Sequence, residues 1–217
     1  MRSKNFSVGL AAMLAMLAVT PFMISARATA QQEKILHSFN GTDGAGPGVP
    51  LIMDAKGNFY GTTVAGGTGT GCGSGCGTVF ELTHGGGWTA KVLHQFTLNS
   101  GKDGVNPRAG LIFDAAGNLY GTTYGGGAHD EGMVFELSPS AGGRWTEKIL
   151  YSFKRHADGI YPWVGLIFDS AGNLYGTTLY GGAFSQGTVF ELTPSPGGGW
   201  TEKLLHQFGN GTDGIGP

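Results

Sequence analysis

Three groups of side chains in this sequence carry potential chemistry. Cys72 and Cys76 stand in the glycine-rich string GTGTGCGSGCGT. A metal site wants about four ligands, and neither a second cysteine pair nor a nearby histidine accompanies them. In an oxidising compartment the two form a short disulfide that pins the loop; free thiols, or metal or redox work, are the alternatives. The second group is carboxylates that recur at fixed places: Asp54, Asp114 and Asp169, then Glu81, Glu136 and Glu191. Each Asp is expected to brace a turn, and each Glu to sit between strands, hydrogen-bonded to backbone. A ring of such oxygens around an axis could hold Ca²⁺, the weaker reading. The third group is Arg108, Tyr124, Tyr161, Trp163, Tyr180 and Phe184, which decorate loops rich in glycine and proline. Aromatic rings on rigid loops suit the apolar faces of sugars, so these six are the candidate ligand-binding residues. The alternative is that the rings fill space between neighbouring sheets.

No catalytic constellation accompanies these groups. There is no GxSxG elbow, no HExxH and no GxxxxGKS, and the glycine runs precede no helix. His37, His94 and His206 share one repeated position with Tyr151, as aromatic packing or strand-edge residues would; His84, His129 and His156 fall in loops. Only His129, Asp130 and Glu131 resemble an acidic and histidine cluster confined to one copy, and a solvated loop tip explains it. The formal charge of −2 argues against nucleic acid as a partner, since it offers no extended basic surface for phosphates.

The elements that position these residues follow from repetition. GNFYGTT begins at Gly57 and GNLYGTT at Gly117 and Gly172; VFEL begins at Val79, Val134 and Val189; a DGxxP string opens at Asp43, Asp103, Asp158 and Asp213. One unit of about 55 residues has been copied, with repeats at 47–106, 107–161 and 162–216. Each unit reads as four short strands, such as 110–114, 119–124, 133–137 and 145–153, separated by turn residues. The 42 glycines among 217 residues and a charged fraction of 13% leave little room for surface helices. The predicted fold class is all-β: tandem four-stranded antiparallel sheets, β-propeller-like, because copies stacked around a channel hide one another's faces. Residues 33–39 resemble a fourth strand and open the array as an orphan, so the array is an incomplete propeller of about three blades. Either the chain is a fragment of a longer reading frame, or copies self-associate.

The N-terminus carries an address. Arg2 and Lys4 precede an apolar run from Val8 to Val19, followed by Pro21 and Ala28-Thr29-Ala30, the small-x-small form of a signal-peptidase site. Residues 1–30 are therefore expected to be a signal peptide cleaved before Gln31, with an uncleaved anchor as the alternative. Cleavage would leave ten basic against fifteen acidic side chains. The product would be secreted, periplasmic or at the cell surface, with no membrane contact after cleavage.

The units GLIFDAAGNLYGTTYGGGAHDEGMVFELSP and GLIFDSAGNLYGTTLYGGAFSQGTVFELTP resemble the tandem repeat of the choice-of-anchor GloVer-repeat proteins of bacteria. More distantly, DxxGNLY is similar to the blade signature of NHL-type and gluconolactonase-like propellers. The first resemblance implies an exported repeat protein held at the surface by a variable anchor, and it implies no reaction or ligand. The expected function is a non-enzymatic module whose loops bind a protein, polysaccharide or cell-surface partner, with no cofactor. The alternative is a fragment of a propeller-type lactonase or lyase that uses a divalent cation.

Overall fold

A computed structural model describes residues 32–99, 101–154, 158–211 and 213–217. The expected signal segment 1–30, its cleavage point before Gln31, and His156 lie outside them. Among the described residues no helix is long and apolar enough to cross a membrane. Residues 35–217 form one unit, whose regular elements among the described residues are antiparallel strands and one short 3-10 turn.

The first sheet takes β1 (Ile52–Met53), β2 (Phe59–Thr63), β3 (Thr78–His84) and β4 (Trp88–Gln95) in simple order. A two-residue ribbon, β5 (Gly104–Val105) with β8 (Gly125–Gly126), flanks the second sheet. That sheet contains β6 (Ile112–Phe113), β7 (Leu119–Thr123), β9 (Met133–Ser140) and β10 (Arg144–Ser152). The third joins β11 (Ile160–Pro162), β12 (Ile167–Phe168), β13 (Leu174–Tyr180), β14 (Thr188–Ser195) and β15 (Gly199–Gln207). Registers repeat as the sequence does: Tyr60 faces Glu81, Tyr120 faces Glu136, and Tyr175 faces Glu191. The ladder between third and fourth strands shifts at the same place in every sheet, beside Phe80, Phe135 and Phe190.

The turn that opens each meander is built by its aspartate. Asp114 Oδ1 accepts the N–H groups of Ala116 and Asn118, and Oδ2 accepts from Asn118 Nδ2 and the Tyr120 hydroxyl. Gly117 closes the turn at φ 86°, a left-handed conformation that glycine adopts freely. Asp54 and Asp169 make the same set of bonds.

The core lies between sheets. One buried cluster joins Tyr60 and Val79 of the first sheet to Leu119, Phe135 and Leu137 of the second; another joins Tyr120 and Val134 to Leu174, Phe190 and Leu192 of the third. A phenylalanine after the fourth strand of the first and second sheets meets the third strand of the next. Phe96 reaches Phe135 at 5.3 Å and Phe153 reaches Phe190 at 5.1 Å. Lys91 and Lys148 donate across the same seams to the carbonyls of Gly143 and Gly198. Sheets that lean on their neighbours in this way are an incomplete propeller-like array.

Several details differ from the sequence reading. Residues 33–39 make no ladder; the segment takes the place of a fourth strand through side chains, with Phe39 on Phe80 at 4.9 Å. A fourth strand pairs with the third strand of its own sheet, and none precedes residue 33 among the described residues. The innermost strands shrink to two residues, and the second strand of the middle sheet ends at Thr123, because the Tyr124 N–H turns to Asn106 O. The DGxxP loops belong in space to the sheet that follows them, since Gly104 pairs with Gly126 and Ile160 with Tyr180. The glutamates of VFEL bond side chains: the single hydroxyl hydrogens of Tyr60 and Tyr175 are shared between the turn aspartate and Glu81 or Glu191, and Glu136 accepts that of Ser138.

Candidate binding site

The DGxxP loops fix the geometry of the site. The residue before each proline is Gly46, Asn106, Tyr161 or Gly216, and all four take positive φ, at 68°, 53°, 58° and 66°. Backbone explains the demand: the N–H groups of Asn106, Tyr161 and Gly216 each turn back to a carbonyl of the preceding loop, from Cys76, Glu131 and Gln186. Glycine and asparagine suit that conformation. Tyrosine does not, and its strain costs about 1–2 kcal/mol.

What the strained backbone achieves is a stack. The Tyr161 ring lies on Tyr124 at 4.4 Å, 15° from parallel, with Tyr180 edge-on to it at 6.4 Å. Tyr124 also meets Trp163 at 5.7 Å and 84°. The Arg108 guanidinium sits 5.0 Å from the Tyr124 centroid and 4.6 Å from that of Trp163, held by two cation–π contacts. Five of the six sequence-selected residues therefore converge, drawn from two successive repeats. Trp163 and Tyr180 remain 41% and 47% exposed. Arg108 Nε is buried without a hydrogen-bond partner, and no carboxylate pairs with Arg108 among the described ion pairs. Beside the cluster runs an apolar groove of about 370 Å³, lined by residues 49–50, 108–112 and 163–165 of three successive repeats.

Phe184 does not join this cluster. It lines a separate shallow depression with Gln186, Gly209 and Ile215. Cys72 and Cys76 are bonded at 2.06 Å, and the Cys76 carbonyl accepts from Asn106, tying the stapled loop to the next repeat. The loop tip His129-Asp130-Glu131 is divided: His129 is exposed, Asp130 accepts from the Gly126 N–H, and Glu131 is buried.

A family model described as the Gloeobacter/Verrucomicrobia repeat matches residues 20–217. The chain belongs to this repeat family. No curated protein matches the sequence. Among solved structures, the chain is similar to an X-ray structure of a provisionally assigned gluconolactonase, at 18% identity and a TM-score of 0.45. The alignment covers 72% of this chain and 47% of that one, so the chain spans about half the length of the structure it matches.

One further constellation of this Gloeobacter/Verrucomicrobia repeat chain escaped the sequence reading. Between the first and second sheets, His94 Nε2 lies 3.3 Å from Asp103 Oδ1 and 3.6 Å from Glu147 Oε1. The three are the described residues whose donor atoms could share a metal, all within 4.8 Å of one another. Burial pushes Glu147 up to about 8; the His94 imidazole opposes this and the Asp103 charge adds to it. Burial would lower His94, yet its hydrogen bond to Asp103 and the charges of Glu147 and Asp103 hold it above its ordinary value. The available signal was a difference between copies in the fourth strand, where Ala90, Glu147 and Glu202 occupy one position.

Proposed function

We propose that this chain is an exported, non-enzymatic repeat module that binds an acidic polysaccharide at the arginine and aromatic cluster. The observation that carries the reading is an arginine clamped by Tyr124 and Trp163 on an exposed face, with no carboxylate partner among the described ion pairs. Exposed faces of Trp163 and Tyr180 would stack on sugar rings, and the planar guanidinium suits a uronate carboxylate. The left-handed Tyr161 supports the same reading, because strain held at a surface cluster calls for a use. The charged and apolar runs of residues 2–30 support export.

The test uses variants the fold already tolerates elsewhere. Position 48 of the first repeat carries glycine where the later repeats carry Arg108 and Trp163. Arg108→Gly and Trp163→Gly therefore copy a native state of the loop. Isothermal titration with oligogalacturonate should show saturable binding to the native chain and a loss of about tenfold or more in each variant. A neutral cello-oligosaccharide of equal length should bind more weakly. A native chain that binds neither probe would sink the proposal, and equal binding by Arg108→Gly would remove its acidic specificity.

A further inference from the structure

One polar pair recurs at the seam where each of the three sheets meets the segment before it, residues 33–39 for the first and the preceding sheet for the other two, and the middle seam adds to it. In the first seam His37 bonds Asp43 at 2.8 Å, and Ala90 stands where a third partner would be. In the third seam Tyr151 donates its hydroxyl hydrogen to Asp158, with Glu202 at the position of Ala90. Packing of the sheets thus requires only an aromatic donor and an aspartate. The middle seam alone among these three assembles an imidazole and two carboxylates, from His94, Asp103 and Glu147.

One oxygen of Glu147 is left unpaired there. Its Oε1 is buried and has no hydrogen-bond partner, and the 3.6 Å to His94 Nε2 exceeds a hydrogen bond. Charging Glu147 in that place is costly, and a cation would offset the cost; Glu202 Oε1 is buried without a partner as well, but beside Tyr151 in place of an imidazole. Asp103 is already oriented, with Oδ1 accepting the Gly104 N–H and Oδ2 the Thr97 N–H. Such outer bonds are what aim a metal ligand. The His94 ring is fixed edge-on against Phe96 at 4.6 Å.

We propose that this seam binds a zinc-class divalent cation through His94 Nε2 and the carboxylates of Asp103 and Glu147, with water in the remaining position. Zinc bonds of about 2.0–2.2 Å at tetrahedral angles set ligand atoms about 3.3–3.6 Å apart. The two separations from His94, 3.3 and 3.6 Å, match that edge, and rotation of the longer Glu147 side chain closes the third. One nitrogen with two carboxylates favours zinc over calcium, which wants six to eight oxygens. Side-chain exposures of 18%, 7% and 13% would keep the ion largely shielded from solvent. Held between two sheets, the cation would lock one repeat to the next.

The experiment dialyses the full chain against chelator, then titrates with Zn²⁺ and measures bound metal and melting temperature. One zinc per chain is expected, with a raised melting temperature and a visible tetrahedral spectrum when Co²⁺ replaces zinc. Glu147→Ala copies the first seam and His94→Tyr copies the third; each should weaken binding at least tenfold. Absence of stoichiometric zinc, or undiminished binding in both variants, would overturn the assignment. Calcium binding at this site in preference to zinc would do so as well. Should His94→Tyr fail to fold, Glu147→Ala decides alone.

Discussion

Alanine at Gly121 would place a methyl group where the middle sheet has no room. Its Cβ would stand 2.7 Å from Phe135 Cζ, 3.0 Å from Phe135 Cε1 and 2.9 Å from Leu111 Cδ2. Neither neighbour can retreat, since Phe135 is fully buried against Phe96 and Leu111 is 2% exposed. Overpacking of this kind costs about 1–3 kcal/mol. Alanine regains about 0.5–1 kcal/mol over glycine within a strand, which leaves a net loss of about 0–2.5 kcal/mol; the two clashes under 3 Å at buried neighbours place it in the upper part, about 1–2 kcal/mol. For a chain of this length that lowers the melting temperature by about 2–8 °C. The decisive assay is a double-mutant cycle by urea and thermal unfolding. In a Phe135→Leu background the two ring contacts are gone and only that to Leu111 remains, so Gly121→Ala should cost clearly less there, a coupling within the usual range of about 0.5–3 kcal/mol. If Gly121→Ala costs the same in both backgrounds, steric exclusion by Phe135 is not why glycine stands there. The argument extends to Gly176, which faces Phe190 and Leu166 in the same way.

Other perturbations test separate parts of the fold. Reduction of Cys72–Cys76, only four positions apart, should cost about 2 kcal/mol by the loop-closure relation; an unchanged melting temperature after complete reduction would refute the staple. At Asp54 and Asp114 burial, the largest influence, raises the carboxyl, but the turn's hydrogen bonds outweigh it; at Asp169 the bonds from Asn173 lead, and all three stay below their ordinary value. A lowered folded value means stability present above about pH 4 and lost as pH falls through it, so Asp114→Asn should flatten the acid limb of melting temperature against pH. Glu202 has the opposite sign: burial, then the Asp158 charge, pushes it from 4.5 up to about 7, with Lys154 opposing. Its contribution is full below pH 4.5 and disappears as pH rises through 7, so Glu202→Gln should match the native chain at pH 5. At pH 8 it should exceed the native chain by about 1 kcal/mol, once screening of a partly exposed group is counted; equal stability at both pH values would contradict this.

Strand identity and order were legible because each unit repeats a local rule: an aspartate turn, a Gly-Thr-Thr strand and a VFEL strand. Those rules act within a few residues, so a single sequence displays them three times. Seams were harder to read, because they bring together residues of different units. Glu147 meets His94 and Asp103 across a seam, 53 and 44 positions away in the chain. The convergence of Arg108, Tyr124, Tyr161, Trp163 and Tyr180 was visible only as a set of unusual residues at repeated loop positions. Their contact depends on the DGxxP loop pairing with the following sheet, which periodicity alone does not reveal. The glutamates of VFEL were assigned backbone partners because strand register was not read from the sequence: the Tyr60 and Tyr175 hydroxyls reach them from the adjacent strand of the same sheet.

Repetition supplies its own controls, and these separate packing from function more sharply than burial does. Asp103 is buried and bonded, yet every DGxxP loop has its counterpart, so its presence follows from the seam. Tyr161 breaks the rule of its position, where glycine or asparagine serves the other three copies without strain. Glu147 breaks the rule of the first seam, where alanine fills the place without a buried charge. Strain at Tyr161 and burial of the Glu147 carboxylate each run against stability by a kcal/mol or more. Neither has a counterpart in the first repeat, which folds into the same four strands without it. The first sheet therefore does not require these two residues. Tyr161 recovers part of its cost by stacking on Tyr124, and a bound cation would offset the cost of Glu147, a test that Glu202, its Oε1 likewise buried but beside a tyrosine in place of an imidazole, controls.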